Sequence, residues 1–202
     1  TRSMRFLSEQ APRGKIYDSN GDILATNRQT YTLTFTETDE SKKNFYTTID
    51  KVYSILKENN QSILDNFKLR INENGELYFD VSGETEKLRL LKDIGMGDKV
   101  KNVLFKNKEG DLTAEEEDQI DQELLKVTPD EAFNFLVKEY QLYDILNPTE
   151  EEKDLYKKMD PKEITDILLK KYSLQDIRGY MLIKNAIKMQ SFSGYKPVTI
   201  AK

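Results

Sequence analysis

Oxygen-bearing side chains are concentrated in the stretch Asp18-Ser19-Asn20-Gly21-Asp22, which has oxygen ligands at positions 1, 3 and 5 as in a calcium-binding loop. An EF-hand loop requires Gly at its sixth position and a bidentate Glu at its twelfth. Counted from Asp18, these positions hold Ile23 and Gln29. The stretch therefore predicts a tight turn, in which Gly21 accepts a positive φ, and no metal site.

A serine and a lysine stand at S-x-x-K spacing in Ser54-Ile55-Leu56-Lys57. In that arrangement a lysine one helical turn later helps to activate a serine for acyl transfer. The tetrad lies within a predicted helix, and Ser54 is off the apolar face of that helix. The S-x-N and K-[S/T]-G motifs that accompany this chemistry do not occur in the chain. Chance is the simpler explanation of the tetrad.

Composition removes several other classes of function. The chain of 202 residues has no Cys and no His, which excludes thiol nucleophiles, disulfides and Cys/His zinc sites. A net charge of −5 is unfavourable for binding nucleic acid. Neither a P-loop nor a G-x-G-x-x-G motif is present, and no cofactor is predicted. Glycoside hydrolysis remains an alternative, because the fold could bring two of the many carboxylates together.

The pattern of apolar residues predicts strands at both ends of the chain and helices between them. Apolar pairs flank Asn20-Gly21, and alternation follows over 31–35, so the N-terminal part is expected to be extended. A hairpin is predicted near 66–82, with its turn at Asn74-Gly75. The segment Gly95-Met96-Gly97 is interpreted as a loop.

Helices are predicted from about residue 113, because several helix-start signals follow one another. Thr113 with Glu116 forms a capping-box pattern, and Pro129 follows Thr128 at a first helical position. Further starts are expected at Asn147-Pro148-Thr149, at Asp160-Pro161 and at Ser173. The last residues turn at Ser193-Gly194 and then form a strand. The fold class predicted is α+β.

Two separated stretches resemble one family. Arg13-Gly14, Asp18-Ser19-Asn20-Gly21 and Leu24-Ala25 match, in order and spacing, the N-terminal non-catalytic module of class B penicillin-binding proteins. Ser19 stands where that family usually has Arg. The C-terminal segment RGYMLIKNAIKMQSFSGYKPVTIAK, residues 178–202, is similar to the family's helix, Tyr-rich turn and strand ending in Ile-Ala.

The resemblance implies a pedestal, also called a dimerisation domain, in two lobes. Strands from both chain ends, 1–36 and 178–202, would form a small base lobe near the membrane. Residues 37–177 would form an inserted, mostly helical head lobe. The chain would be an excised fragment that lacks the membrane helix and the transpeptidase domain of its parent.

The resemblance also implies a function without catalysis by this chain. The module would position the parent's D,D-transpeptidase domain in peptidoglycan synthesis and dock a glycosyltransferase of the SEDS (shape, elongation, division and sporulation) type, among other wall-synthesis proteins. It would lie on the extracytoplasmic face of the bacterial membrane, anchored by an N-terminal helix that this chain does not contain. An unrelated helical adaptor and a serine acyl-transferase using Ser54 and Lys57 are the alternatives.

Two sets of residues are assigned to this function. The base-lobe motif is expected to be structural, with Arg13 and Arg178 pairing with acids such as Asp18; its members are Arg13, Gly14, Asp18, Asn20, Gly21 and Arg178. Aromatic residues of the helical middle are candidates for partner docking, with packing of the lobe's own core as the alternative; they are Phe133, Phe135, Tyr140 and Tyr143.

Overall fold

A computed structural model of the chain describes residues 65–190, the strand segments 4–8, 16–17, 23–25, 31–35 and 198–201, and residues 50, 51, 53, 54 and 58. The strands are β1 (Met4–Ser8), β2 (Ile16–Tyr17), β3 (Ile23–Ala25), β4 (Tyr31–Phe35), β5 (Leu69–Ile71), β6 (Leu77–Phe79) and β7 (Val198–Ala201). The helices that the structure bounds are α1 (Glu84–Asp93), α2 (Met96–Leu104), α3 (Ala114–Leu125), α4 (Pro129–Glu139), a 3-10 helix (Leu142–Leu146), α5 (Glu150–Lys158), α6 (Pro161–Leu169) and α7 (Leu174–Gln190).

Strands from the two ends of the chain share one antiparallel sheet in the order β1-β4-β7. Ser8 lies opposite Tyr31 at one end of the β1–β4 pair, and Phe35 lies opposite Val198 between β4 and β7. The predicted α+β fold, with strands from both chain ends together and a mostly helical middle, is confirmed.

Two hairpins also follow the sequence pattern. β2 and β3 pair across the Asn20-Gly21 segment, with Ile16 opposite Ala25. β5 and β6 pair with Leu69 opposite Phe79. In the second hairpin Gly75 has a φ of 78°, which is the left-handed backbone that its predicted turn requires.

Side chains placed just before each helix account for the starts of α3 to α7. A hydroxyl or carboxylate oxygen accepts a hydrogen bond from an amide of the first turn, which satisfies a donor that the helix itself leaves unpaired. The capping residues are Thr113, Thr128, Thr149, Asp160 and Ser173. Thr113 and Thr149 form complete capping boxes, so these sequence predictions are confirmed.

Two helices that the sequence pattern did not predict precede α3. Glycine is the N-cap residue of both, Gly83 for α1 and Gly95 for α2, and neither cap makes a side-chain hydrogen bond. Gly95 has a φ of 96°, and Met96 and Gly97 already belong to α2. The interpretation of Gly95-Met96-Gly97 as a loop is therefore wrong, because the helix begins within it.

The chain divides into two compact units, residues 66–181 and the terminal segments 1–65 and 182–202. Whether these units correspond to the predicted lobes stays a prediction. In the unit 66–181, α4 packs on α6, and α1, α2 and α3 pack on one another. Leucines with no exposed surface fill its core, namely Leu91, Leu124, Leu136, Leu142 and Leu168. Among the residues that the structure describes, no helix combines the length and the apolar character needed to span a bilayer.

Candidate functional site

A groove with a volume of about 330 Å³ opens between α2 and the junction of α3 with α4. We call it the α2 groove, and its lining residues are Met96, Lys99, Val100, Val103, Leu104, Glu123, Lys126, Val127 and Glu131. Met96 and Val127 are buried, whereas Val103 and Leu104 are 74% and 42% exposed. The groove thus combines a buried apolar floor with an apolar rim that stands in solvent.

Four charged side chains surround the α2 groove, and two of them neutralise each other. Lys126 Nζ lies 2.7 Å from Glu123 Oε1. Lys99, on α2, lies over the ring of Phe135 at 5.5 Å from its centroid. Within the part of the chain that the structure describes, neither Lys99 nor Glu131 forms an ion pair. Besides the Lys126–Glu123 pair, the groove therefore presents a cation that lies over an aromatic ring and an anion from a different helix.

Arg178, on α7, is buried and binds the outer edge of the second hairpin. Its Nε donates to the Leu69 carbonyl at 2.7 Å, and its Nη2 donates to the Phe67 carbonyl at 3.1 Å. One guanidinium group thus reaches two carbonyls that lie two residues apart, one at the first residue of β5 and one just before the strand begins. The guanidinium carbon also lies 6.0 Å from the centre of the Phe67 ring. Arg178 thereby fixes α7 to β5 within the unit 66–181.

Three of the four aromatic residues predicted for docking are core residues. Phe133, Tyr140 and Tyr143 are 1%, 3% and 2% exposed, so their side chains offer no surface to a partner in this structure. Packing of the lobe's own core, the alternative that the sequence analysis kept open, accounts for them. Phe135 is half-buried beside Lys99. Tyr143 also stacks on Tyr156 with ring centroids 4.9 Å apart.

Burial changes the acidity of the two core tyrosines. Removal from water disfavours the phenolate, and the nearby Glu139 carboxylate adds repulsion, so the pKa of Tyr140 rises to about 12. Burial, assisted by Asp144, also raises the pKa of Tyr143. Both changes keep the hydroxyls protonated, which suits packing and not proton transfer near neutral pH.

The family model of the penicillin-binding protein dimerisation domain matches residues 8–202. The chain belongs to this family. No curated protein and no solved structure matches the chain. Because the match extends over both resembling stretches, the resemblance found in the sequence is confirmed. The dimerisation domain is a non-catalytic part of a penicillin-binding protein.

Most of the base-lobe motif of this penicillin-binding protein domain lies outside the described residues. Those positions are Arg13, Gly14, Asp18, Asn20 and Gly21. The strands β2 and β3 that flank Asp18 to Gly21 are described and paired. Arg178 is described, and the carbonyls it binds lie at the second hairpin. Its proposed pairing with Asp18 stays a prediction.

Metal binding by the described part of this dimerisation domain would require a group of suitable side chains. No cluster of three or more acidic side chains that could hold a metal ion occurs among the described residues. Ser54 is exposed in a helical segment, and Lys57 lies outside the described residues. The family membership and Ser54's exposed position both favour scaffolding over acyl transfer.

Sequence analysis missed the α2 groove, although a signal for it was present. Met96, Val100, Val103 and Leu104 stand at i, i+4, i+7 and i+8, which is the spacing of one helical face. Glycines at 95 and 97 and the missing side-chain cap obscured that face. The sequence gives no comparable signal for the contact of Arg178, whose partners are more than 100 residues away along the chain.

Proposed function

We propose that this chain is a scaffold and interaction module of a class B penicillin-binding protein, a peptidoglycan transpeptidase. It positions the parent's catalytic domain and docks a SEDS-type glycosyltransferase, so that polymerisation and crosslinking of the cell wall take place together. The parent lies on the extracytoplasmic face of the membrane, anchored by a helix N-terminal to this chain.

The observation that carries the proposal is the family match over residues 8–202. The sheet order β1-β4-β7 supports it, because strands from both ends of the chain share one sheet, as the resemblance to the pedestal implies. An unrelated helical adaptor would not be expected to match the family model. Nor would strands from its two chain ends be expected to pair in one sheet. The Ser54/Lys57 acyl-transferase is disfavoured because Ser54 has none of the accompanying motifs.

Docking of the glycosyltransferase requires apolar surface in the helical middle. Phe135 stays a candidate because it is half-buried, and the exposed leucines of α5 and α6 join it. Leu155 is 65% exposed and Leu169 is 42% exposed. α5 contributes no buried residue to the core, which leaves its apolar side chain available to a partner.

Co-purification from membranes tests the docking proposal. In the full-length parent, Leu155→Glu is expected to reduce recovery of the SEDS glycosyltransferase by about tenfold, because a charge replaces an apolar contact. Val103→Glu, at a position of α2 that is 74% exposed, serves as the matched control and should leave recovery unchanged. Full recovery with Leu155→Glu, Leu169→Glu and Phe135→Ala combined would refute docking through this surface.

Acylation by a β-lactam tests whether the chain itself is an enzyme. We expect the chain of 202 residues to keep its unmodified mass after incubation with a reactive penicillin, and the full-length parent to gain one acyl group. A stoichiometric adduct on the isolated chain that is lost with Ser54→Ala would establish the serine acyl-transferase instead.

A further inference from the structure

The helix α5 is anchored less firmly than the helices on either side of it in the chain. It contributes no buried residue, whereas α4 buries four residues and α6 buries three. A helix of nine residues is too short to be stable by itself in water, so α5 depends on the surface against which it packs. That surface includes the 3-10 helix, Leu142–Leu146.

Two side-chain contacts hold the C-terminal half of α5 in place. The ring of Tyr156 stacks on the ring of Tyr143, with centroids 4.9 Å apart and planes 18° from parallel. Tyr156 is half-buried and Tyr143 is 2% exposed, so α5 covers one face of a core ring with a residue of its own. Lys138 Nζ, from α4, donates to the carbonyl of Met159, directly after α5, at 2.8 Å.

The elements on either side of α5 have end structures of their own. The 3-10 helix is followed by Asn147, whose backbone is left-handed with a φ of 52° and whose amide donates to the Asp144 carbonyl at 3.0 Å. α6 begins with Asp160, which accepts from the Lys162 amide at 2.8 Å, and with Pro161 at its first position. Neither hydrogen bond involves a residue of α5. The helix α5 can therefore unfold without removing the end of one neighbour or the start of the other.

We propose that α5 is a lid over Tyr143, which opens by local unfolding while the rest of the unit 66–181 stays folded. Elements with few buried contacts open at a lower free energy than the core around them. Opening removes Tyr156 from the ring of Tyr143 and presents to solvent an aromatic surface that the closed structure hides. Tyr143 is one of the residues that the sequence predicted for partner docking, so the lid controls when that surface is accessible.

Hydrogen exchange of the chain, followed by mass spectrometry of its peptides, tests the opening. We expect the α5 amides, corrected for their intrinsic rates, to exchange at least about a hundredfold faster than the α4 amides. Tyr156→Ala should accelerate exchange in α5 about tenfold more, because it removes the stacked ring, and should leave α4 and α6 unchanged. Tyr156→Phe is the matched control, since it keeps the ring, and should stay within about twofold of the original rates.

Hydroxyl-radical footprinting tests whether the opening exposes Tyr143. Oxidation of the Tyr143 ring should rise several-fold in Tyr156→Ala and not in Tyr156→Phe. Tyr140 provides an internal control, because it is a core tyrosine of similar exposure, 3%, that directly follows α4. Its oxidation should be the same in all three proteins. If Tyr156→Ala does not fold, Lys138→Met replaces it as the test variant, because it removes the hydrogen bond to the Met159 carbonyl and should accelerate α5 exchange several-fold.

Three results would overturn the proposal. The first is exchange of the α5 amides that is no faster than that of α4, which would mean that α5 opens only with the core. The second is unchanged α5 exchange in Tyr156→Ala or, where that variant does not fold, in Lys138→Met. The third is oxidation of Tyr143 that does not increase when α5 exchange does. None of these results bears on the scaffold function, because that function rests on the family match and on the joined chain ends.

Discussion

Arg178, on α7, donates hydrogen bonds to carbonyls at the edge of β5. In a larger sheet a third strand would donate these hydrogen bonds. The guanidinium group of Arg178 binds the carbonyls of Phe67 and Leu69 and is itself buried. Buried carbonyls without donors are costly, and Arg presents several donors in a fixed plane. A single side chain therefore joins α7 to a hairpin that is distant in sequence.

Replacing Arg178 is expected to destabilise the unit that contains the hairpin. Arg178→Ala should lower the free energy of unfolding by about 3 kcal/mol, because two charge-assisted hydrogen bonds are lost and the carbonyls stay buried. Arg178→Lys should recover little of it, since an ammonium group cannot match the two-point geometry. Urea unfolding followed by circular dichroism measures both changes.

Arg89 provides the control for this prediction, because it is an exposed arginine on α1. Arg89→Ala should change the free energy of unfolding by less than about 0.5 kcal/mol. Equal effects of the two substitutions would contradict the role given to Arg178.

The raised pKa of Tyr140 predicts that the folded chain loses stability at high pH. Its pKa is about 12 in the folded chain and about 10 when unfolded, so the folded state holds the proton more tightly. The stabilisation is complete below pH 10 and is lost as the pH rises from about 10 to about 12, amounting to ~2–3 kcal/mol. Tyr140→Phe should flatten this pH dependence in urea titrations, whereas Tyr78→Phe, at a residue 38% exposed, should not. An unchanged slope with Tyr140→Phe would refute the assignment.

Helix starts could be predicted from the sequence where a capping hydrogen bond between residues close in sequence determines them. Thr113, Thr149 and Asp160 were recognised as helix starts because a capping bond joins residues two or three positions apart. The starts of α1 and α2 were missed because Gly83 and Gly95 offer no side chain to recognise. The sequence predicted the start of α4 from Thr128 and Pro129, but it could not tell which of the aromatic residues that follow would be covered by neighbouring elements.

The two capping boxes should differ in their effect on stability. α3 contributes Ile120 and Leu124 to the core, whereas α5 contributes no buried residue. Thr113→Ala is therefore expected to lower the free energy of unfolding by about 1 kcal/mol, while Thr149→Ala mainly frays α5. Hydrogen exchange of the α5 amides, together with urea unfolding, distinguishes the outcomes. Equal losses of global stability would contradict this difference in packing.

At the scale of the whole molecule, the joining of the chain ends is the feature that supports a pedestal. The motifs near the N-terminus and the Ile-Ala strand near the C-terminus predicted it, because they resemble two parts of one family's module. Without the resemblance, the alternation of apolar residues and the turn residues predicted only that both chain ends are extended. The pairing of β4 with β7 is a long-range contact, which no local signal specifies.

Cysteine pairs can test the β4–β7 register, because the chain has no cysteine of its own. Phe35 and Val198 are partners across the sheet, so Phe35→Cys with Val198→Cys should form a disulfide under mild oxidation. Tyr31 lies at the other end of β4, roughly 13 Å from that site, so Tyr31→Cys with Val198→Cys should keep both thiols free. Thiol titration and intact mass measure the result. Oxidation of the second pair alone would contradict the register.

We propose that this chain is the scaffold of a membrane-anchored transpeptidase, and the sequence of the parent reading frame on both sides of residues 1–202 would test this proposal. We expect an apolar segment of about 20 residues upstream of Thr1 and the motifs S-x-x-K, S-x-N and K-T-G downstream of Lys202. A stop codon directly after Lys202, with no membrane helix upstream, would refute the scaffold proposal and indicate a free-standing protein.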